Sequence, residues 1–192
     1  MSVDRLPLLP EHLWSPAQKR FAQEIIDGPR KALISPFIPL LRSPELMGHT
    51  QRLGEYLRYR SSVDLRLSEL AILLTARHWN QQAEWAIHAP IALQQGVKAE
   101  AIEAIRTNNR PQALLSDEQI VYSFCKELLE TQNVQDATWE SAIATFGDQG
   151  CIDLIGVVGY YAYLAMVMNA ARTPAPSSTA LALQARDNET AI

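Results

Sequence analysis

The sequence predicts an all-α fold, a single domain of about eight helices. Three observations indicate it: helix-start signatures recur along the chain, alternating strand-like patterns are nearly absent, and 47% of the 192 residues are hydrophobic, enough for a substantial core. We place an N-terminal arm at residues 1–14, the helical domain at residues 15–171 and a C-terminal tail at residues 172–192.

The first two helices have well-marked starts. Residues 15–18, Ser-Pro-Ala-Gln, combine an N-cap serine, a proline at the first helical position and a glutamine that completes a capping box. This helix should end at about Asp27, because Gly-Pro follows it. A second Ser-Pro start predicts a helix over residues 43–59.

The middle of the chain predicts two longer helices and one short one. Residues 65–76 are apolar at almost every turn, which predicts a helix buried on most sides. A helix with polar and bulky residues follows over residues 81–95. Residues 99–107 predict a short helix, and Asn-Asn-Arg-Pro at residues 108–111 is the plainest break in the chain.

The C-terminal part predicts three further helices and an arm. Ser-Asp-Glu-Gln at residues 116–119 is another capping box, and apolar residues recur every four positions after it. Residues 137–147 predict a helix, and a long apolar helix should run from about Gly150 to Ala170. The tail begins rich in Pro and Ser, so we expect a flexible arm unless a partner subunit fixes it.

One apolar segment reaches the lower edge of a membrane-spanning length. Residues 154–171 are 18 positions without a charge. They include two glycines, three tyrosines and an asparagine, so we interpret the segment as a buried core or subunit-interface helix and expect no membrane partner.

Charge and cysteine content narrow the function classes. The net charge of -4 and the absence of any Lys/Arg cluster disfavour nucleic acid as a partner. Cys125 and Cys151 have neither CxxC spacing nor nearby ligands, which disfavours a disulfide framework or a zinc site. The start of the chain has acidic residues and prolines where an export signal is apolar, so we predict a cytoplasmic protein.

A polar stripe on the helix over residues 81–95 is the best candidate site. Gln81, Glu84 and His88 are three or four positions apart and fall within an arc of about 60° on a helical wheel. Trp85 and Ile91 flank this arc, whereas the opposite side carries mostly alanines. The bulky residues therefore point the same way as the polar ones, which predicts an inward-facing stripe.

A second carboxylate belongs to the preceding helix. Glu69 shares a face with Ile72 and Leu73 and should also be buried. Two structural alternatives stay open: a Glu-His pair that satisfies itself in the core, and a salt bridge from Glu69 to Arg66 or Arg77. Because two buried carboxylates near one histidine exceed what packing requires, we favour a functional site.

The stretch ELAILLTARHWNQQAEWAIHAPIALQQGV, residues 69–97, resembles the core motif of the carboxymuconolactone decarboxylase family, which includes the alkylhydroperoxidase D-like proteins. The similarity extends over most of residues 15–171. It implies an alkylhydroperoxidase D-like all-α fold and a homo-oligomer, whether dimer, trimer or hexamer.

The peroxidase branch of this family places a Glu before a CxxC pair and a His. Glu69 matches that Glu and His88 that His, but Gln81 and Glu84 stand where the two cysteines would be. Peroxidase chemistry of that type needs both thiols, so a hydroperoxidase activity is disfavoured. The remaining Glu-His framework is closer to the decarboxylase branch.

The resemblance implies acid-base chemistry, decarboxylation or isomerisation, on a small carboxylated or lactone-type molecule. His88 would be the general acid or base, Glu84 would orient its ring and Glu69 would support the pair. This makes the chain a lyase-like enzyme in our interpretation. The alternative from another class is a non-catalytic helical module whose polar stripe lies at a subunit interface.

Four further residues are predicted to bind the substrate. Gln81 could donate a hydrogen bond to the substrate oxygen that accumulates charge, and Arg77 could anchor a carboxylate. Trp79 and Trp85 would supply apolar walls that exclude water. We expect no cofactor and no metal, because Glu84 and His88 alone lack the usual third ligand.

Overall fold

The computed structural model describes residues 3–177 and 180–184, and within these ranges it is all-helical. A short 3₁₀ turn, Glu11–Leu13, precedes eight α-helices, and the described residues include no strand. The helices are α1 Pro16–Asp27, α2 Phe37–Leu40, α3 Pro44–Tyr59, α4 Leu65–His78, α5 Gln82–Gln94, α6 Ala99–Arg106, α7 Ser116–Thr131 and α8 Asp136–Ala171. The predicted all-α fold of about eight helices is confirmed.

Helix starts follow the predicted chemistry at α1 but not at α7. The Ser15 hydroxyl accepts from the backbone N–H of Gln18, whose side chain accepts from the N–H of Ser15. At α7 the capping box predicted at residues 116–119 is shifted by one residue. Glu118 accepts from the backbone N–H of Leu115 at 2.8 Å, because its buried carboxylate is held in place by Arg66 of α4.

The two C-terminal helices join at a glycine. The structure continues them as α8, Asp136–Ala171, with non-helical backbone at Gly147 (φ 67°, ψ 177°). A positive φ favours glycine, so the break falls there and not at the predicted start near Gly150.

The only described helix long and apolar enough to cross a membrane is α8. Its most apolar 18-residue window has a mean hydropathy of 1.7, and 56% of that window is buried inside the chain. A core helix of a water-soluble protein has the same properties, so the structure gives no positive sign of membrane insertion.

Helix α4 is the centre of the core. It packs against α5, α7 and α8, and its residues from Leu67 to Arg77 are all buried. A helix that is apolar on nearly all sides has to be enclosed on all sides. Glu69 therefore lies inside the bundle, facing α5.

A buried carboxylate of α8 fixes the turn between α3 and α4. Asp153 accepts hydrogen bonds from the hydroxyls of Tyr56, Ser61 and Ser62 and from the Ser62 backbone N–H. Burial alone would raise the pKa of Asp153, but these hydrogen bonds hold it below its ordinary value. The connection that follows α3 is thus anchored to α8.

Part of the C-terminal tail packs on the domain. The sequence predicts an arm that is flexible unless a partner subunit fixes it, but residues 180–184 lie against α4, α5 and α6 of the same chain, with Leu183 buried. Residues 178–179 and those beyond 184 lie outside the described part of the chain.

Candidate active site

Glu69 of α4 meets Glu84 and His88 of α5 in the interior of the bundle. His88 Nδ1 is 2.7 Å from Glu69 Oε2, and His88 Nε2 is 3.4 Å from Glu84 Oε2. The side chains of Glu69, Glu84 and His88 are 0%, 4% and 3% exposed. The stripe on α5 points inward, and its histidine is bracketed by the two carboxylates.

The short connection between α4 and α5 produces this meeting. Only residues 79–81 separate the two helices, and Asn80 has a positive φ of 49°. Such a tight turn folds α5 back along α4, so the inward faces of both helices oppose each other. Glu69 therefore partners His88, and the alternatives of a salt bridge to Arg66 or Arg77 are not what the structure shows.

The two carboxylates keep His88 protonated. Burial would lower its pKa, but the hydrogen bond and negative charge of Glu69, followed by those of Glu84, raise the pKa to about 9. At neutral pH His88 is an imidazolium whose two ring nitrogens both carry a proton.

The roles of the two glutamates differ from the predicted ones. Glu69, and not Glu84, makes the short bond to Nδ1 and so orients the ring. Glu84 lines a cavity next to His88, whereas Glu69 lies behind the ring. Because Glu84 lines the cavity and Glu69 does not, we infer that the Nε2 edge of His88, on the Glu84 side, is the one nearer to the cavity.

This cavity has a volume of about 40 Å³. Besides Glu84 and His88, its walls include Arg30, Arg58, Tyr160, Tyr161 and the segment at residues 34–37. The Tyr161 ring stands edge-on to His88, with centroids 5.0 Å apart. The walls thus combine two cations and two phenol rings around the histidine.

Sequence reasoning missed both arginines and both tyrosines. Arg58 belongs to the end of α3 and Arg30 to the loop after α1, and neither position carries a local pattern that marks a site. A signal did exist for Tyr160 and Tyr161, because tyrosines interrupt an otherwise uncharged apolar helix.

Space for Tyr160 and Arg30 is left by a glycine of α3. A Cβ at Gly54 would overlap the Tyr160 hydroxyl and lie 2.8 Å from Arg30 Nη2. Burial raises the pKa of Tyr160 to about 12, although the nearby Arg30 lowers it. Tyr160 is therefore a neutral hydroxyl at physiological pH.

Several buried polar atoms of the site have no hydrogen-bond partner among the described residues. They are Glu69 Oε1, Glu84 Oε1 and Arg58 Nε. Leaving a buried polar atom unpaired costs roughly 1–3 kcal/mol, more if it is charged. These three atoms can therefore still form a hydrogen bond, whether to water or to another polar molecule.

Two predicted substrate-binding residues are used elsewhere. Gln81 is the N-cap of α5: its Oε1 accepts from the Ala83 N–H at 2.6 Å and its Nε2 donates to Asn169 Oδ1 at 2.8 Å. Arg77 donates to the backbone carbonyls of Arg106 and Gln184. Neither of them lines the cavity next to His88, because Gln81 precedes the first turn of α5 and Arg77 is on another face of α4.

The two tryptophans predicted to form walls, Trp79 and Trp85, do not line the cavity. Trp85 is buried on a different face of α5 from Glu84, one residue away and hence about 100° around the helix. Its Nε1 donates to the Leu181 carbonyl at 2.9 Å. Trp79 caps the end of α4, where its ring contacts His78 edge-on.

The two cysteines are buried and free. Burial raises the pKa of both thiols, and for Cys151 the charge of Asp148 adds to the effect. Neither cysteine lines the cavity next to His88. A protonated, enclosed thiol is a poor nucleophile.

Comparison with known protein families gives one match, which covers 75 of the 192 residues. Residues 44–118 match the model of the carboxymuconolactone decarboxylase family, which confirms the family expected from the motif. The match runs from α3 to the start of α7 and includes Arg58, Glu69, Glu84 and His88. No curated protein matches the chain.

Proposed function

We propose that this chain, a member of the carboxymuconolactone decarboxylase family through residues 44–118, is an enzyme that transfers a proton to a small carboxylated or lactone-type molecule. The observation that supports it most is the buried His88 imidazolium, held between two carboxylates and directed at a cavity with two arginines. The reaction classes that fit are decarboxylation and isomerisation.

His88 acts as the general acid in this proposal. Because its pKa is about 9, it carries the proton when the substrate binds. In a decarboxylation the bond to the leaving carboxylate breaks, and its electron pair passes into a conjugated carbonyl of the substrate. The Nε2 proton is then delivered to carbon, CO₂ leaves, and the imidazole regains a proton from water.

The glutamates have separate roles. Glu69 is a positioning residue, because its 2.7 Å bond to Nδ1 fixes the ring and stabilises the imidazolium. Glu84 faces the cavity with an oxygen that has no partner among the described residues. In an isomerisation Glu84 removes a proton from one carbon, and His88 donates one to another; the proton on Glu84 then passes to the His88 Nε2, 3.4 Å away, which restores both groups.

Arg58 and Arg30 supply the positive charge for an anionic substrate. Both line the cavity, and Arg58 has a buried Nε available for a new hydrogen bond. A guanidinium binds a carboxylate or the enolate oxygen that develops when CO₂ leaves. They take the place of Arg77 and Gln81 in the predicted site.

Substrate binding requires the cavity to widen. A volume of about 40 Å³ holds only a few water molecules at roughly 10–15 Å³ each. The wall formed by residues 34–37 includes Ile34, whose side chain is partly exposed, so this segment is the one that we expect to move.

The test is isotope exchange with defined probes. The protein is incubated in D₂O with small unsaturated lactones and β,γ-unsaturated carboxylates, and NMR follows deuterium incorporation and loss of CO₂. We expect His88→Ala to slow any reaction by roughly 100 to 10,000 fold. The exposed His49→Ala is the control and should react like the parent.

The non-catalytic alternative makes the opposite prediction. If His88→Ala exchanges deuterium at the parent rate and differs only in its melting temperature, the buried pair is structural and the proposal fails.

We also propose that the chain is a homo-oligomer in which α8 contacts a second copy. Ile152 and Met166 are 62% and 45% exposed on one face of α8, with Ile155 and Gly159 between them. An antiparallel pair with a two-fold axis at Gly159 sets Ile152 opposite Met166, so the apolar face covers itself. A Cβ at Gly159 meets nothing within 4 Å, which leaves space for close approach.

A further inference from the structure

The tail segment at residues 180–184 is held through its main chain. Gln82 of α5 bonds both backbone groups of one residue: its Oε1 accepts from the Leu183 N–H at 3.0 Å and its Nε2 donates to the Leu183 carbonyl at 3.3 Å. This two-point contact from a glutamine copies the hydrogen bonds that a neighbouring strand would make.

Three more side chains, one from each of α4, α5 and α6, donate to carbonyls of the same segment. They are Arg77 to Gln184 at 2.6 Å, Trp85 to Leu181 at 2.9 Å and Arg106 to Ala182 at 2.9 Å. With the Gln82 pair this makes five bonds to the main chain of residues 181–184. None of them depends on the identity of a tail side chain.

Two leucines at alternate positions of the tail segment differ in burial. Leu183 is 5% exposed, whereas Leu181, two residues earlier, is 67% exposed. The Leu183 side chain is thus the apolar anchor. Main-chain bonds that give affinity and a single buried side chain that gives specificity are the features of proteins that bind extended peptides.

The groove is larger than the segment that fills it. An apolar cavity of about 250 Å³ lies beside the tail, and its walls include Pro90, Leu93 and Ile102. It is on the Trp85 face of α5, separate from the cavity that contains His88.

We propose that α4, α5 and α6 form a peptide-binding groove, whose ligand is an extended segment with the sequence Ala-Leu-Ala-Leu-Gln of residues 180–184. In this structure the chain's own residues 180–184, the cis segment, occupy the groove. When the cis segment is released, the same groove binds that segment presented by another chain. This inference goes beyond the proposed acid-base chemistry and does not depend on it.

The test uses the full chain with a substitution at Leu183 that weakens binding of its own tail segment. Leu183→Asp should release the cis segment, because a carboxylate cannot replace the buried leucine. We expect a fluorescently labelled peptide of residues 177–188 to bind this variant, measured by polarisation, and to bind the parent at least roughly tenfold more weakly. Leu13→Asp is the matched control, because Leu13 is 64% exposed and belongs to neither the groove nor the segment 180–184, and this variant should behave like the parent.

Two further substitutions, one in the groove and one in the peptide, test whether the peptide binds at the proposed groove. Adding Gln82→Ala to Leu183→Asp should weaken peptide binding by roughly tenfold, because both of its bonds are lost. A peptide that carries Asp in place of Leu183 should not bind. If the Leu183→Asp chain binds neither peptide, or binds both equally, the proposal is overturned.

A measurement on the parent covers the case in which Leu183→Asp fails to fold. The Leu183 amide hydrogen should be protected from exchange, and Gln82→Ala should remove that protection without changing exchange in the α4 core. An unprotected Leu183 amide in the parent refutes cis occupancy.

Discussion

The Glu69–His88 bond makes the pH dependence of folding predictable. The pKa of His88 is about 9 in the folded protein, against an ordinary value of 6.5, and Glu69 is the larger of the two raising influences. The folded pKa is raised, so the stabilisation is complete below pH 6.5 and is lost as the pH rises through about 9. At pH 7 this linkage is worth roughly 2–3 kcal/mol.

The perturbation is Glu69→Gln, which keeps the shape and removes the charge. We expect the pKa of His88 to fall toward or below its ordinary value, because burial and Glu84 alone remain. Stability at pH 7 should drop by roughly 2 kcal/mol, and the decline of parent stability between pH 6.5 and 9 should largely disappear. Glu84→Gln should act in the same direction but less, because Glu84 is 3.4 Å from the ring.

Urea unfolding from pH 6 to pH 10 measures the stability, and NMR titration of labelled histidine measures the pKa of His88 directly. Glu103→Gln, which removes a carboxylate paired with an arginine on the surface, is the control and should not alter the pH profile. The reasoning is refuted if His88 of the parent titrates near pH 6.5, or if Glu69→Gln leaves its titration unchanged.

Three further predictions concern the rest of the chain. We expect no thiol-dependent peroxidase activity, so hydroperoxide consumption with a dithiol reductant should be at background; a rate that disappears in Cys125→Ser or Cys151→Ser would contradict this. Asp153→Ala should lower the free energy of unfolding by about 3 kcal/mol, because four hydrogen bonds lose their acceptor. The pKa of Asp153 is lowered below its ordinary value of 3.8 in the folded protein. The ionised carboxylate should therefore stabilise the parent above pH 3.8, and this stabilisation should be lost as the pH falls further. Urea titrations that show no loss of stability at low pH would argue against the network. If the chain forms the proposed oligomer, Gly159→Arg should give a monomer in light scattering, whereas Leu115→Arg, at another exposed position, should not. A parent already monomeric near 21.5 kDa would exclude the α8 contact.

Contacts within one or two helical turns were predictable from sequence. The capping box at Ser15, the stop at Asp27 and the inward face of Glu84 and His88 all depend on residues at most four positions apart. Helix geometry sets the relative positions of such residues before any tertiary packing occurs. The family motif belongs to the same class, because it is a spacing along α4 and α5.

Partnerships between helices were not predictable in this way. Glu69 is 2.7 Å from His88 and not from an arginine because the turn at Asn80 sets how α5 packs on α4. The cap of α7 moved by one residue because Arg66 holds Glu118.

The sequence by itself determined every described α-helix except the short α2, as well as the burial of the Glu-His stripe and the absence of the thiol pair. Only the tertiary structure decided that Glu69 makes the short bond to His88, that Arg58 and Arg30, and not Arg77, line the cavity next to it, and that residues 180–184 pack against α4, α5 and α6. The physical reason is distance along the chain: side chains on one helix are placed by its 3.6-residue period, whereas Arg30 and Tyr161 meet His88 only through the packing of separate helices.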